Sequence, residues 1–269
     1  MNSILSDVIS LAKQAGQQIL SQYHTDVRFA YKADHSLVTA ADLAAHTLIC
    51  NGLNQLTPEI PILSEELSSP EFEERRHWQR YWLVDPLDGT REFLEKNGEF
   101  TVNIALIEGN SPIFGVVYAP VFDFCYFAQN NSGAFKQIMQ QSPQPLHTRR
   151  WKEGFPVTMA ISRRHGVEAL NNFFAQFSAL SIIRCGSALK FCWLAEGFAD
   201  LYPRFSTTCQ WDTAAGQCIL QEAGGTIIDN QGEVLRYNTN ASLCQAAFLA
   251  VGDRANHWSS YLDQSRHIF

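Results

Sequence analysis

Asp85 and Asp88 sit three residues apart around a proline in WLVDPLDGT, residues 82–90, directly after an apolar run. Two like charges at the edge of a core repel, and burial makes each costlier, whereas a divalent cation turns the same pair into a binding site. Other carboxylates also flank apolar segments: Glu65 closes ILSEE at 62–66, and Asp212 opens the helical pattern of WDTAAGQCILQEAGG at 211–225. Each has a plainer role available, Glu65 with Glu66 as a solvated strand end, Asp85 and Asp88 in a turn, Asp212 as a helix cap. Their joint placement beside apolar elements argues for one shared site. Oxygen donors suit Mg²⁺, and the lack of a compact His/Cys set argues against zinc. Two magnesium ions sharing Asp85, with Glu65 on one side and Asp88 plus Asp212 on the other, would also find an oxygen in the Leu87 carbonyl. Such a site activates water, neutralises phosphate and stabilises a departing oxygen. Thr90 follows Gly89, where a turn can aim its hydroxyl and amide at one anion. A hydroxyl that orients water needs an acceptor of its own, and Asp42 is the best candidate, although a turn cap and a helix cap are the plainer roles of these two residues.

These groups need elements to carry them. Ile4, Leu5, Val8, Ile9, Ala12, Ala15 and Ile19 form a helical stripe, followed by an exposed turn from Tyr23 to Asp34. A second helix is expected over about 40–53, with Thr39 or the preceding turn placing Asp42 near its positive end. Strands at 62–64 and 81–84 should end at one edge, where Glu65 and Asp85 gather. Residues 99–107, 113–118 and 122–128 read as an antiparallel meander. PQPLHTRRWKEGFP, 143–156, reads as the connection between an N-terminal lobe, 1–145, and a C-terminal lobe, 146–269. Beyond it the pattern gives a strand at VTMAIS, a helix at VEALNNFFAQF, a strand at SIIRCG, a helix at SALKFCWLAEG stopped by Gly197, and a turn or strand at ADLYPRF. The last helix is expected to begin near Asp212 and stop at Gly224–Gly225.

The 269 residues, 46% hydrophobic and 17% charged, describe a compact protein rather than a disordered one. A formal charge of −7 gives no reason to bind a nucleic-acid polymer, and RRW at 149–151 and SRRH at 162–165 are short basic patches. Seven dispersed cysteines without a CxxC pair read as buried thiols in a reducing compartment rather than a disulfide scaffold. The opening segment carries Asp7 within its apolar pattern and lacks the basic flank and cleavage site of a secretory signal. No transmembrane segment is expected, and a cytoplasmic location follows, with peripheral association with the inner membrane left open.

VTAAD at 38–42, ILSEE at 62–66, WLVDPLDGT at 82–90 and WDTAAGQCILQEAGG at 211–225 resemble, in order and across most of the chain, the signatures of the inositol monophosphatase-like superfamily. The DPxDGT element combined with the later WDxAAG is specific where a lone DxxD would be weak. The resemblance implies an α+β fold, a layered αβαβα sandwich of the inositol monophosphatase/fructose-1,6-bisphosphatase type. It also implies a lithium-sensitive phosphatase that uses two or three Mg²⁺ ions during catalysis. Glu65, Asp85, Leu87 through its carbonyl, Asp88 and Asp212 would be metal ligands, while Asp42 and Thr90 position the water that attacks phosphorus in line, with no phosphoenzyme.

GSALKFCWLAEGFADLYPRF, 186–205, is similar to its counterpart in the bacterial 3'(2'),5'-bisphosphate nucleotidases of sulfate assimilation, and the segments at 115–128 and 162–165 strengthen that likeness. The implied reaction converts adenosine 3',5'-bisphosphate and water to AMP and phosphate, with 3'-phosphoadenylyl sulfate as a further candidate substrate. One phosphate would meet Glu65, Leu87, Gly89, Thr90 and Asp212 with their metals. The second would meet Lys190 and Arg204, assisted by Gly186 and Ser187. Ser162 and His165 would contact the sugar or leaving group. The plainer roles are surface solubility for Lys190, a structural ion pair for Arg204 and loop stabilisation for His165. Two departures from the family pattern stand out. Leu37 replaces a proline and loses its fixed backbone angle, and Ser206, Thr207 and Gln210 alter the segment before Asp212, which puts phosphate preference and pocket shape in question. An inositol or broader sugar-phosphate monophosphatase is the enzymatic alternative, and a non-catalytic phosphate-responsive or assembly protein the other. Monomer and homodimer are both compatible with the chain.

Overall fold

A computed structural model describes residues 3–25, 27–32, 36–163, 170–245, 247–258 and 261. The N-terminal stripe forms helix α1 (Ser3–Tyr23). Strands β1 (Phe29–Tyr31) and β2 (Leu37–Thr39) then pair antiparallel, where the sequence suggested only a turn. Tyr23, expected to be exposed there, is 5% exposed and packs on Phe93 and Phe100. Leu37, despite losing proline, gains an extended backbone from pairing with Tyr31. Helix α2 (Ala40–Leu56) starts at an extended Thr39 N-cap, whose hydroxyl accepts from the Ala41 amide while Asp42 reaches back to the Thr39 amide.

β3 (Ile62–Ser64), α3 (Phe72–Arg75), β4 (Arg80–Asp88) and α4 (Thr90–Leu94) follow, then the hairpin series β5 (Thr101–Glu108), β6 (Ser111–Ala119), β7 (Phe124–Gln129), β8 (Ala134–Ile138) and β9 (Gln144–Pro145). β3 to β9 lie in sequence order in a seven-stranded sheet, with β3 parallel to β4 and the rest antiparallel. The remaining elements are β10 (Val157–Ile161), α5 (Asn171–Phe174), β11 (Leu180–Arg184), α6 (Leu189–Ala195), β12 (Leu201–Arg204), β13 (Thr208–Cys209), α7 (Gln210–Ala223), β14 (Thr226–Asp229), β15 (Cys244–Gln245) and β16 (Phe248–Val251). A second, five-stranded sheet runs β11-β10-β12-β16-β14, and β13 pairs with β15 in a separate ribbon. Of the helix expected at 167–177, residues 170–177 are described, and there the α-helix is only α5, which ends at Phe174 where a turn follows.

The layers follow from which faces are apolar. α1 and α2 cover one face of the large sheet, enclosing Trp82, Val84, Phe100 and Phe127. α6 and α7 lie between the two sheets, in a core that joins Leu83, Tyr126, Phe191, Ile219 and Phe248. Phe173 and Trp258 cover the far face of the smaller sheet. The result is the αβαβα sandwich. Gly115 on β6 lets α7 settle close to the sheet, since a Cβ there would lie 2.6 Å from the Ala215 carbonyl oxygen. That approach brings the start of α7 to the sheet edge where β3 and β4 end.

Candidate functional site

Ser64 lies opposite Val84 in the parallel β3–β4 pair, so the next residues, Glu65 and Asp85, emerge together at one edge. The β4–β5 register then slips: Asp85 faces Asn103 while Asp88 faces Thr101, one extra residue on β4. Residues three apart on a regular strand point to opposite faces, and this bulge brings Asp85 and Asp88 back to one side. Gly89, at φ 93°, makes the turn into α4. α7 supplies Asp212 from its first turn, where Thr208 Oγ1 and the Cys209 amide donate to Asp212 Oδ2 at 2.6 and 3.0 Å.

Among the described residues, one carboxylate oxygen each of Glu65, Asp85 and Asp212 lie within 4.8 Å of one another. Asp88 stands outside this trio but borders the same cavity, accepting from Asn103 Nδ2 at 3.2 Å, itself set by the Thr101 hydroxyl. Burial, reinforced by the neighbouring Glu65, Asp88 and Asp212, raises the Asp85 carboxyl well above its usual range. Burial and Asp212 push Asp88 up to about 7 against the pull of Lys190. Burial likewise lifts Glu65 to about 7 although Lys32 opposes it. Crowded, buried, all-oxygen donors are what a hard divalent cation relieves, so magnesium fits these residues. Asp85 Oδ1 accepts the Leu87 amide at 3.1 Å, and Leu87 lines the cavity with its side chain buried.

Thr90 Oγ1 donates to Asp42 Oδ1 at 3.0 Å. Asp42, 1% exposed, turns its other oxygen to the Thr39 amide and hydroxyl at 2.7 and 2.5 Å. It therefore caps α2 and holds Thr90 at once. Burial raises its carboxyl, which these hydrogen bonds counteract.

The cavity, about 520 Å³, is lined by this carboxylate edge with Gly89 and also by Ser162, Gly186, Ser187, Lys190, Tyr202, Arg204 and Thr207, which include its cationic end. Lys190 is 3% exposed, so it is no solubilising surface residue. Its ammonium donates to the carbonyls of Cys185 and Ser187 at 3.2 and 2.5 Å, over the Tyr202 ring. Arg204 donates to the carbonyls of Ser206 and Thr207 at 3.3 and 3.1 Å and forms no ion pair among the described residues. The Gly186 amide, expected to meet phosphate, is already engaged by Glu99 Oε2 at 2.8 Å, and Glu99 is held in turn by Arg163. The neighbouring Ser187, at φ 49°, has a buried hydroxyl without a hydrogen-bond partner among the described residues. His165 lies outside the described residues. Gln210 does not shape the cavity: its side chain accepts the Asn238 amide and donates to the Ser242 carbonyl, tying α7 to that loop.

Four contributors escaped the sequence reading. Lys32 bridges Glu65 and Glu66 at 2.7 Å each, which leaves its own ammonium strongly protonated because the two carboxylates outweigh its burial. Asn103 and Thr208 steady Asp88 and Asp212. Arg91, an exposed residue, lines the cavity and makes no side-chain hydrogen bond among the described residues. Only Arg91 carried a local signal, as the cation directly following DGT.

Residues 1–261 match the inositol monophosphatase family. The chain is 47% identical to the 3'(2'),5'-bisphosphate nucleotidase CysQ of Salmonella typhimurium and 46% identical to that of Escherichia coli, each over 91% of this chain and 98% of the relative. The crystal structure of CysQ from Bacteroides thetaiotaomicron, a bacterial member of the inositol monophosphatase family, superposes with a TM-score of 0.81 at 35% identity, covering 94% of this chain and 98% of that one. Among the described residues, no helix is long and apolar enough to cross a membrane.

Proposed function

The chain belongs to the inositol monophosphatase family, and on that premise we propose that it is a magnesium-dependent 3'(2'),5'-bisphosphate nucleotidase that converts adenosine 3',5'-bisphosphate to AMP and phosphate. The observation that carries this reading is a single cavity with a carboxylate edge at one end and Lys190, Arg204 and Ser187 at the other, in a chain close to the CysQ relatives over nearly its whole length. 3'-Phosphoadenylyl sulfate, which offers the same two anionic ends, is a further substrate. Lithium sensitivity, a role in sulfate assimilation and a cytoplasmic location belong to the same reading.

Glu65, Asp85, Asp88, Asp212 and the Leu87 carbonyl would hold Mg²⁺. When bound, it supplies positive charge toward the phosphate, the water and the departing oxygen. Thr90 donates its hydroxyl hydrogen bond to Asp42, which would leave the lone pairs of its oxygen to accept the proton of the attacking water. Asn103 keeps Asp88 oriented, and Thr208 with the Cys209 amide does the same for Asp212. In this reading the 5'-phosphate would bind toward Lys190, Arg204 and the Ser187 hydroxyl, with Ser162 toward the ribose, all residues that line the cavity.

Phosphate release from matched concentrations of adenosine 3',5'-bisphosphate, inositol 1-phosphate and fructose 1,6-bisphosphate, with magnesium present, tests the proposal. Strong preference for the nucleotide, with AMP as product and lithium inhibition, is expected. Preference for inositol phosphate would leave the metal site standing and replace the substrate, while metal binding without turnover of any ester would remove the catalytic reading.

A further inference from the structure

Five of the seven cysteines are buried, Cys209 is half-buried and Cys244 is exposed. These last two face each other as Cα partners in the antiparallel β13–β15 ribbon. The adjacent rung carries the ladder hydrogen bond, from the Gln210 amide to the Leu243 carbonyl at 2.9 Å. Neither cysteine uses its amide across the ribbon. The Cys209 amide goes to Asp212 Oδ2 and the Cys244 amide to Ser242 Oγ, both at 3.0 Å. Cys209 and Cys244 are thus a non-hydrogen-bonded pair, the position at which opposite side chains of an antiparallel ladder come closest, with Cα atoms about 4.5 Å apart. Disulfides span Cα separations of roughly 4.4–6.8 Å. Opposite Cβ atoms, about 5 Å apart in a ladder, would close by about an ångström to reach disulfide spacing. Strands of two residues can make that adjustment.

We propose that Cys209 and Cys244 are an oxidative modification site, closing to a reversible disulfide that disturbs Asp212. The oxidant is a hydroperoxide. The exposed Cys244 thiolate attacks a peroxide oxygen, the O–O bond breaks, and sulfur is oxidised to the sulfenic acid as the peroxide is reduced to water or alcohol. Cys209 sulfur then attacks the Cys244 sulfur. The S–S bond forms, hydroxide leaves and takes the Cys209 proton as water, and a dithiol reductant reverses the bond by exchange. Transient redox disulfides of this kind are compatible with a reducing compartment. The consequence for the site follows from one residue: Cys209, which must move toward Cys244, also donates its amide to Asp212 Oδ2. Disulfide formation stands by itself, whereas its effect on turnover rests on the proposed role of Asp212.

The full-length protein is treated with hydrogen peroxide, free thiols are alkylated, and non-reduced tryptic peptides are analysed by mass spectrometry. A cross-link between Cys209 and Cys244 with loss of two hydrogens is expected. Alongside it should come about ten-fold lower turnover, the scale of one hydrogen bond to a charged group, and weaker Mg²⁺ binding by calorimetry, all restored by dithiothreitol. Cys244→Ser should keep basal activity and lose both cross-link and sensitivity. Cys244 trapped as sulfinic acid with Cys209 alkylated, or undiminished sensitivity in Cys244→Ser, would overturn the site. A cross-link with unchanged magnesium affinity and turnover would overturn its coupling to Asp212. A wrong substrate assignment would instead show in the reduced enzyme, before any peroxide is added.

Discussion

Asp42→Asn separates the two tasks of Asp42. The carboxylate accepts three hydrogen bonds through two oxygens: from Thr39's amide and hydroxyl at Oδ2, and from Thr90's hydroxyl at Oδ1. An amide has one accepting oxygen, and the buried Thr39 amide can only donate, so the amide oxygen must stay there. The new NH₂ then faces Thr90 and forces its hydroxyl to accept instead of donate. The cap survives, and unfolding temperature should shift by no more than about 4 °C, the change expected for about 1 kcal/mol in a chain of this size. Turnover should fall at least about 100-fold, because the Thr90 lone pair no longer points at the water and positioned proton transfer contributes about 10²–10⁴-fold. Thr90→Val removes the same hydroxyl with little change of shape. If both residues act as one relay, the double variant will be no slower than the slower single variant. Steady-state phosphate release and thermal unfolding of all four proteins provide the test. Losses that multiply, or Asp42→Asn turnover within about three-fold of the parent, would refute the relay.

Asp88→Asn should keep the side-chain shape yet weaken both Mg²⁺ affinity and turnover by about ten-fold or more, since it replaces a charged ligand with a neutral one; unchanged calorimetric affinity would remove Asp88 from the ligand set. In the metal-free protein, burial and neighbouring charge lift Asp88 and Glu65 to about 7, above their unfolded values. The folded state then binds more protons than the unfolded chain, so stability is greatest below about pH 4 for these groups and declines as pH rises toward 7. Unfolding temperature in chelator, corrected with an Asp88→Asn, Glu65→Gln variant, should show that decline, and saturating Mg²⁺ should flatten it; identical pH slopes for parent and variant would contradict the shifts. Arg91→Ala should raise KM for adenosine 3',5'-bisphosphate more than for adenosine 3'-monophosphate, because Arg91 lines the cavity and its side chain makes no hydrogen bond among the described residues. Equal changes for both substrates would show that it does not meet the 5'-phosphate. Arg204→Ala is the less specific probe, since it also releases the Ser206 and Thr207 carbonyls.

What could be read from the chain depended on how local the cause was. Period-3.6 and period-2 apolar patterns are local, and α1, α2, β3, β4 and the β5–β7 meander appear where the patterns place them. β1, β13 and β15 are only two or three residues long and are defined by the strands they pair with, β2 for β1 and each other for β13 and β15, so their own residues carry no period to detect. β4 was expected to end at Val84 and instead continues to Asp88, because a bulge absorbs the proline and the turn residues without ending the pairing with β5.

The same distinction governs the site. Side-chain type tells which groups a residue owns, and the gathering of Glu65, Asp85 and Asp212 follows from carboxylates placed at the ends of neighbouring apolar elements. Whether a group is available to a ligand depends on its tertiary partners. Gly186 looked like a phosphate-binding amide, yet Glu99, 87 residues away, already occupies it. Lys190 and Arg204 are cations of the right kind at the right end, yet each donates to backbone carbonyls that shape the wall. A phosphate entering there must therefore share these donors with the turn at 185–187 and the turn at 206–207, which makes those turns part of substrate recognition. Substitutions that loosen them, and not only changes to the two cations, should then weaken selection for a second phosphate.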